Sequence, residues 1–468
     1  MTDKRFEKNE LVEVIINDIG DNGEGIGHIE GYTLFVKDAL PGDTVKAKIL
    51  KAKKGYAYAR MEEIITPSLD RCDPVCPVSR SCGGCQLQSY SYEAQLRFKA
   101  KKVRDALKRI GGFEDSLLDK VMNPIVGMNG DGETPYRYRN KAQYPVAPDA
   151  DGRAKTGFYA AHSHNVIKND DCVIEPEINS EILGTIITFI NDNNIEPYNE
   201  ENGTGLVRHI LIRHGRRSGE ILICIVINGH DMKGAKDLAK ILCEKYPAIK
   251  TVSLNINTER TNVITGPEVM TIYGSGYIRD SLRTRDMSKD GYPFTGEERI
   301  YNISPLSFYQ VNPIQTEKLY SIALSYAGLT GKEIVWDLYC GVGTISLFMA
   351  GHAGKVYGVE IIPEAIADAK ENAKLNSLDN AEFIVGKAEE IAPTLPAPDV
   401  IVVDPPRKGC DIVCLETILK NEPERIVYVS CDPATLARDL KILCEDGRYE
   451  IREVTPVDQF AMGIHVET

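Results

Sequence analysis

The sequence contains no long apolar run, and this absence excludes several classes of protein. A membrane-spanning helix needs about 18 consecutive apolar residues, and no uncharged apolar run approaches that length. The N-terminal stretch MTDKRFEKNE also lacks the apolar segment of a secretory signal peptide. With 43% apolar and 26% charged residues, the composition is that of a globular protein. We therefore expect a cytoplasmic protein that does not enter membranes.

Positive charge is in deficit overall, because 55 Lys and Arg stand against 68 Asp and Glu and the net charge is −13. This net charge alone argues against a polyanionic partner. The positive charge is unevenly distributed along the chain, however. Residues 1–110 hold 19 Lys and Arg against 16 Asp and Glu. Residues 46–60 carry six basic and no acidic residues, and residues 97–109 carry seven basic and one acidic. Such segments can contact phosphates, although each by itself is equally consistent with a solvated face.

The length of 468 residues exceeds what one hydrophobic core organises, and the chain divides into three regions. In residues 1–66, about five short strands are separated by Gly-rich turns, and apolar residues alternate with polar ones at Val45, Ala47 and Ile49. This pattern predicts a small, OB-like β-barrel, a shape that often binds oligonucleotides.

The middle region, residues 67–298, begins with a linker rich in Pro and Cys. Apolar residues then recur at helical spacing from Leu96 to Ile110, and Gly111-Gly112 should end that helix. The remainder predicts a central α+β domain with one helical stretch near residues 178–192. It carries two basic clusters that could contact RNA, YRYRNK (136–141) and RHILIRHGRR (208–217).

Residues 299–468 alternate apolar strands with helix-like segments. The strands read EIVWDLY, VYGVE, EFIVG, DVIVVD and RIVYVS. This alternation predicts an α/β domain with a doubly wound, mostly parallel sheet of the Rossmann type. Ligands of such sheets bind at the carboxyl ends of the strands.

A glycine-rich segment, DLYCGVGTISL (337–347), should form the first ligand-binding turn of this sheet. It lacks the third glycine of a dinucleotide-binding loop, because Ser346 stands at that position. This favours a nucleoside without phosphates over a pyrophosphate. Glu360 ends the next strand, where a carboxylate can accept both ribose hydroxyls. With Asp337 and Glu360 at its two ends, the segment resembles the S-adenosylmethionine site of Rossmann-type methyltransferases; a structural turn and an NAD site are the alternatives.

The segment DVIVVDPPRKG (399–409) places Asp404 at a strand end, before two prolines that restrict the loop. Methyltransferases that act on exocyclic amines have a related Pro-Pro loop, followed by an aromatic residue that stacks on the base. That aromatic residue is missing here, since Arg407 stands in its place. An amine-methylating activity is therefore disfavoured.

Cys431 lies in VYVSCDPATLARDL (427–440), where a strand ends and a helix begins. Asp432 is a good N-cap and Pro433 a favoured first helical residue, so the helix N-terminus should lower the pKa of the thiol. A thiolate can add to carbon 6 of a pyrimidine and so activate carbon 5 toward a methyl donor. A carboxylate, Asp404 or Glu467, would then remove the carbon 5 proton. The alternative is a buried strand-end cysteine.

Three motifs together resemble the signatures of RNA uridine-5-methyltransferases: DPPRKG (404–409), SCDPAT (430–435) and SFYQVNP (307–313). The segment LFVKDALPGDTVKAKI similarly resembles the RNA-binding TRAM domain. The resemblance implies S-adenosylmethionine contacts by Gln310, Tyr339, Glu360 and Asp404, a nucleophilic Cys431, and Glu467 as the base. Ala461 and Gly463 depart from the family, which commonly has Pro and Thr there. Locally, Asn312 and Gln315 also match a helix capping box.

Twelve cysteines in a chain without an export signal should stay reduced. Cys76, Cys82 and Cys85, with the distant Cys172, resemble the [4Fe-4S] ligands of the 23S-type members of this family. Thiolates suit iron–sulfur clusters and zinc alike. Zinc held by four local cysteines is therefore the alternative, with Cys72 in place of Cys172.

These observations predict an S-adenosylmethionine-dependent enzyme that methylates carbon 5 of a uridine in RNA. The resemblance favours 23S rRNA, because tRNA-type members usually lack both TRAM and these cysteines. A tRNA uridine-5-methyltransferase and a non-catalytic RNA-binding assembly factor are the alternatives. We expect the protein to act as a monomer.

Overall fold

The computed structural model describes residues 5–130, 132–161 and 163–468, and these form two compact units. The first unit comprises the described residues of Met1–Lys101 and Tyr159–Asn165, together with Phe460–His465. The second comprises the described residues of Lys102–Phe158, with Val166–Gln459 and Val466–Thr468. None of the helices within these described residues is long and apolar enough to cross a membrane.

The first unit contains a closed barrel in the strand order β1-β2-β3-β5-β4. Its strands are β1 (Leu11–Ile19), β2 (Gly25–Ile29), β3 (Tyr32–Lys37), β4 (Thr44–Ala52) and β5 (Tyr56–Thr66). The predicted alternation is confirmed, since Val45, Ala47 and Ile49 on β4 are fully buried inside the barrel. Antiparallel pairing of β1 with β4 closes the sheet, so no strand edge stays unpaired.

The helix predicted after the cysteine-rich segment is α1 (Tyr92–Ala106), which continues as a π-helical turn, Leu107–Gly111. Gly112 ends it with a φ of 76°, a left-handed conformation that glycine adopts without steric cost. The predicted stop at the Gly-Gly pair is therefore observed. A short helix, α2 (Asp115–Val121), follows.

The central region is built on a sheet in the order β12-β11-β10-β9-β6-β7-β8. The strands are β6 (Lys141–Pro148), β7 (Ala154–Tyr159), β8 (Val166–Lys168), β9 (Val207–His214), β10 (Ile221–Ile227), β11 (Ile249–Ile256) and β12 (Glu268–Tyr273). The predicted helix is observed as α3 (Ile178–Asp192), but the prediction of a single helix is wrong. A second helix, α4 (Ala235–Lys245), packs Leu238 and Leu242 onto the sheet. A hairpin follows, β13 (Ile278–Arg285) and β14 (Phe294–Ile303).

The C-terminal region is a five-stranded parallel sheet in the order β17-β16-β15-β18-β19. Its strands are β15 (Ile334–Leu338), β16 (Lys355–Glu360), β17 (Ala381–Val385), β18 (Val400–Val403) and β19 (Arg425–Tyr428). The helices are α5 (Pro313–Ala327), α6 (Thr344–Ala350), α7 (Pro363–Leu375), α8 (Ala388–Ile391), α9 (Ile412–Asn421) and α10 (Pro433–Cys444). The predicted α/β class and parallel sheet are confirmed. The domain boundaries after residues 66 and 298 stay predictions.

Candidate active site

The glycine-rich turn after β15 connects the strand to α6. Gly343 has a φ of 80°, and a Cβ there would lie 3.0 Å from the Phe383 ring, so close packing requires glycine. At Gly341, by contrast, a Cβ would meet no atom within 4 Å. Open space therefore lies beside Gly341, as expected where a ligand approaches the backbone.

Two carboxyl groups flank this turn, as the sequence predicts. Glu360, the last residue of β16, accepts hydrogen bonds from the Gly341 N–H at 3.3 Å and the Ile362 N–H at 3.1 Å. Asp337 is fully buried and accepts from the Ser346 hydroxyl at 2.5 Å. Burial, together with the charge of Glu360, raises the pKa of Asp337 to about 7. Ser346, which stands where a dinucleotide-binding loop has its third glycine, thus holds the Asp337 carboxyl group in place.

Tyr339 and Gln310 lie on different segments. Tyr339 follows β15 with a φ of 75°, rare for a tyrosine, and its N–H donates to the Val359 carbonyl at 3.0 Å. Burial, followed by the nearby Cys414 and Cys410, raises the pKa of its hydroxyl. Gln310 precedes α5, and its carbonyl accepts from the Asn140 side chain at 3.0 Å.

Cys431 lies just beyond β19, beside the start of α10. The Asp432 side chain caps the helix by accepting from the N–H groups of Ala434 at 2.9 Å and Thr435 at 3.1 Å. The predicted cap is therefore confirmed. The expectation of a lowered thiol pKa is wrong: burial first, then the carboxyl groups of Glu467 and Asp404, raise the pKa of Cys431 to about 11.

Asp404 directly follows β18, and it is partly buried. Burial and the neighbouring Asp337 raise its pKa to about 7. Arg407 is exposed and lowers the pKa of both Cys431 and Glu467. Arg407 stands where amine-methylating enzymes have a stacking aromatic residue, and it therefore places a positive charge near Cys431 and Glu467.

Glu467 is held by the backbone on both sides. Its N–H donates to the Val457 carbonyl at 3.0 Å, and its carbonyl accepts from the Val457 N–H at 2.7 Å. Thr468 exchanges two similar bonds with Ser430, the residue before Cys431, at 2.9 and 3.0 Å. The side chain is only 2% exposed, and burial together with Asp404 raises its pKa to about 8. Among the described residues, its Oε2 atom has no hydrogen-bond partner.

A buried polar network holds the segment that pairs with Glu467. Asn312 caps α5 by accepting from the Gln315 N–H at 3.4 Å. The Gln315 side chain does not complete the predicted capping box; it donates instead to the carbonyls of Val126 at 2.9 Å and Asp458 at 3.1 Å. Gln459 donates to the Thr316 hydroxyl at 2.9 Å. The motif thus fastens α5 to residues 457–459.

Tyr320 is a site residue that the sequence analysis missed. It is 1% exposed on α5, and its hydroxyl lies 3.2 Å from that of Thr344. Burial, with contributions from Asp404 and Glu467, raises its pKa well above the usual value, so it lies near both carboxyl groups. A single tyrosine within a helix, outside any motif, gives no signal in the sequence.

The predicted metal ligands divide between the two units: Cys76, Cys82 and Cys85 belong to the first, and Cys172 to the second. Cys76 is buried, and the Gly84 N–H donates to Cys82 Sγ at 3.4 Å. Across residues 5–130, 132–161 and 163–468, no group of three or more His, Cys, Asp or Glu side chains is arranged to hold a metal. The metal site therefore stays a prediction.

Two regions of the chain match known protein families. Residues 280–468 match the family described as tRNA (Uracil-5-)-methyltransferase, and residues 5–61 match the TRAM domain. An uncharacterized RNA methyltransferase of Clostridium acetobutylicum is 50% identical over 99% of this chain and 96% of its own length. One from Halalkalibacterium halodurans is 46% identical over 98% of this chain and 96% of its own.

A solved structure resembles nearly the whole chain. It is the Pyrococcus abyssi tRNA (uracil-54, C5)-methyltransferase in complex with S-adenosyl-L-homocysteine, with a TM-score of 0.74 and 26% sequence identity. The match covers 97% of this chain and 98% of that one.

Proposed function

Because the chain belongs to the S-adenosylmethionine-dependent RNA (uracil-5-)-methyltransferases, we propose that it methylates uridine through a covalent bond between Cys431 and carbon 6 of the uracil. One observation carries this proposal: Ser430 and Thr468, the neighbours of Cys431 and Glu467, exchange two backbone hydrogen bonds at 3.0 and 2.9 Å, and Asp404 directly follows the adjacent strand β18. A nucleophile and two proton acceptors therefore lie close together at the carboxyl end of the parallel sheet, where ligands of this fold bind.

The reaction begins when Cys431 transfers its proton to the Asp404 carboxylate and its sulfur bonds to carbon 6 of the uracil. The electron pair of the C5–C6 double bond moves toward carbon 5 and the C4 carbonyl oxygen, so carbon 5 can accept a methyl group. S-adenosylmethionine, when bound, supplies that methyl group from its sulfonium. Glu467 then takes the proton from carbon 5, the double bond re-forms, and Cys431 leaves as a thiolate.

The cofactor would be held by Gln310, Tyr339, Glu360 and Asp404. The open space beside Gly341 and the Glu360 carboxylate at the end of β16 fit a nucleoside whose ribose hydroxyls donate to that carboxylate. The target uridine must leave its stack to reach Cys431, at a cost of a few kcal/mol that phosphate contacts can offset.

For the substrate, we propose a uridine of 23S rRNA, on the basis of the cysteine spacing described above. A tRNA substrate is the second candidate, and a specific observation favours it: the similarity to the archaeal tRNA enzyme extends over 97% of this chain. Methylation of 23S rRNA and tRNA transcripts, combined with mapping of 5-methyluridine in a deletion strain, distinguishes the two.

A covalent complex with 5-fluorouridine RNA tests the mechanism. Fluorine at carbon 5 cannot leave as a proton, so the adduct should persist and migrate as a protein–RNA band in denaturing gels. The wild-type protein should form it, and Cys431→Ala should not. Cys444→Ala, which removes another thiol from α10, should form it normally. A wild-type protein that bound these RNAs without any adduct would instead support a non-catalytic assembly factor.

We further propose that Cys76, Cys82, Cys85 and Cys172 hold a [4Fe-4S] cluster. The hydrogen bond from Gly84 to Cys82 Sγ supports this, because backbone N–H groups commonly stabilise cluster thiolates. Anaerobically purified protein should absorb in the visible range and contain iron. Zinc without visible absorption would favour the set with Cys72. No step of the reaction above depends on the metal.

A further inference from the structure

Three of the basic side chains that could contact RNA in the central region are already bound within the protein. Arg137 forms two hydrogen bonds to the Asp171 carboxylate, both at 2.6 Å. Arg208 donates to the carbonyls of Asn257 at 2.7 Å and Glu259 at 2.8 Å. Arg217 pairs with the buried Glu317 at 2.5 Å. These contacts give each of the three arginines a structural role within the protein.

Three other cations form a cluster, which we call the basic cluster: Arg139, Lys141 and Arg213. Lys141 on β6 lies directly opposite Arg213 on β9, and like charges at opposed positions destabilise a sheet. Arg139 Nε donates to the Lys141 carbonyl at 3.3 Å. Burial, followed by the charges of Arg213 and Arg139, lowers the pKa of Lys141 to about 7.

Arg213 is only 2% exposed, and burial lowers its pKa to about 10. Within the described residues its side chain donates only to the carbonyls of Pro305 and Ser307, and its Nε has no partner. A buried charge is costly unless a counter-charge lies near it. The Arg213–Lys141 pair is therefore a feature that stability alone does not explain.

No carboxylate of the described residues forms a hydrogen bond or an ion pair with the side chains of the basic cluster, since Arg139 and Arg213 donate to backbone carbonyls. The buried Glu175 carboxylate accepts a hydrogen bond from the Tyr144 hydroxyl instead. None of the groups that shift the pKa of Lys141 is a carboxylate. The basic cluster thus carries net positive charge in the absence of a ligand.

The basic cluster is fastened to the segment that carries Gln310. Asn140, between Arg139 and Lys141, donates its N–H to the Val311 carbonyl at 2.9 Å and its side chain to the Gln310 carbonyl at 3.0 Å. Its own carbonyl accepts from the His214 N–H at 2.8 Å. An anion bound at the cluster would therefore lie beside the loop expected to contact the methyl donor.

We propose that the basic cluster binds a phosphodiester group of the substrate RNA and so places the backbone of the target strand against the segment 307–313. This inference rests on the proposed function, since it assumes an RNA substrate. The cross-strand repulsion between Lys141 and Arg213 is relieved when the phosphate supplies the counter-charge.

Lys141→Gln tests the inference through the salt dependence of RNA binding. Fluorescence anisotropy with labelled oligouridylate, over a range of NaCl concentrations, gives the slope of log Kd against log salt. For single strands, loss of one phosphate contact should reduce that slope by about 0.7. Lys141→Arg, which keeps the charge, should retain it. Arg153→Ala, which removes an exposed cation near the β6–β7 turn, is the matched control and should also retain it.

Stability provides the second readout. Because Lys141 faces a like charge, Lys141→Gln should melt at or above the wild-type temperature while binding RNA more weakly. Its affinity for S-adenosylhomocysteine, measured by calorimetry, should not change. An unchanged salt slope, or an equal loss in Arg153→Ala, would overturn the inference. So would displacement of the oligouridylate by millimolar inorganic phosphate, which would indicate a small-anion site. The adduct assay on wild-type protein reports separately on the proposed function.

Discussion

At the residue scale, the central feature is a thiol whose environment favours its protonated form. Burial, Glu467 and Asp404 raise the pKa of Cys431 to about 11, so the thiol is protonated at neutral pH before substrate binds. The Asp404 carboxyl group, with a pKa of about 7, can accept the thiol proton, so that Glu467, with a pKa of about 8, remains available to take the proton from carbon 5. Nucleophile and base therefore titrate as coupled groups, and the reaction rate should rise with pH through about 8 as Glu467 loses its proton.

Glu467→Gln should make Cys431 more acidic, because the substitution removes a negative charge that raises the pKa of the thiol. The pH profile of Cys431 alkylation by iodoacetamide should therefore move to lower pH. The adduct with ordinary uridine RNA should also accumulate, since the proton on carbon 5 is no longer removed. Glu445→Gln, an exposed substitution at the end of α10, should change neither. An unaltered alkylation profile in Glu467→Gln would refute the electrostatic coupling.

This residue also shows where prediction from sequence fails. The motif around Cys431 predicted the strand end, the Asp432 cap and the start of α10, because all three depend on neighbours in the chain. The direction of its pKa shift depends instead on Asp404 and Glu467, which are distant in sequence, and on burial. A local rule about helix ends therefore gave the wrong sign.

At the scale of elements, the turn between β15 and α6 contains two glycines with different requirements. Gly343→Ala should destabilise the protein, because the new Cβ would contact Phe383 in a left-handed conformation.

Gly341→Ala has space for its Cβ, and only its φ of 55° costs about 1 kcal/mol. It should fold but bind S-adenosylhomocysteine more weakly, because the methyl group enters the open space. Thermal melting and calorimetry measure both effects; equal affinities in Gly341→Ala and wild type would show that this space is not used.

Elements with a strong repeating pattern were predicted correctly, among them the parallel strands, the barrel and α3. The helix α4 was missed although its buried residues Leu238, Ala239 and Leu242 have the spacing of one helix face. The polar network of Asn312, Gln315 and Gln459 could not be anticipated fully either. A capping box is a local pattern, whereas Gln315 donates to carbonyls of Val126 and Asp458, which only tertiary structure brings close.

At the scale of the whole molecule, each of the two units contains side chains that we propose to contact RNA. On the barrel, Phe35, Tyr56 and Tyr58 lie with ring centroids 5.6 to 5.8 Å apart. Tyr56 is 37% and Tyr58 is 40% exposed. Tyr56 and Tyr58 belong to the basic stretch 46–60, and exposed aromatic rings beside basic residues are typical of surfaces that stack unpaired bases.

Tyr58→Ala should weaken RNA binding by about 1–3 kcal/mol, which corresponds to a 5- to 150-fold higher Kd. At saturating RNA, the rate of adduct formation should stay at the wild-type level, because Cys431 and its neighbours are unaltered. Tyr273→Ala removes a similarly exposed tyrosine from β12 and serves as the control. Equal affinities in the two variants would exclude base stacking on the barrel.

The pairing of Val457 with Glu467 and of Ser430 with Thr468 also has a consequence for biosynthesis. A ribosome that has synthesised Cys431 has not yet synthesised Glu467, so a nascent chain carries the nucleophile without the proposed base. Prematurely terminated chains would be arrested in the same state. The enzyme would therefore gain turnover only after Glu467 has been synthesised, and fragments that stop between Cys431 and Glu467 would bind RNA without completing its modification.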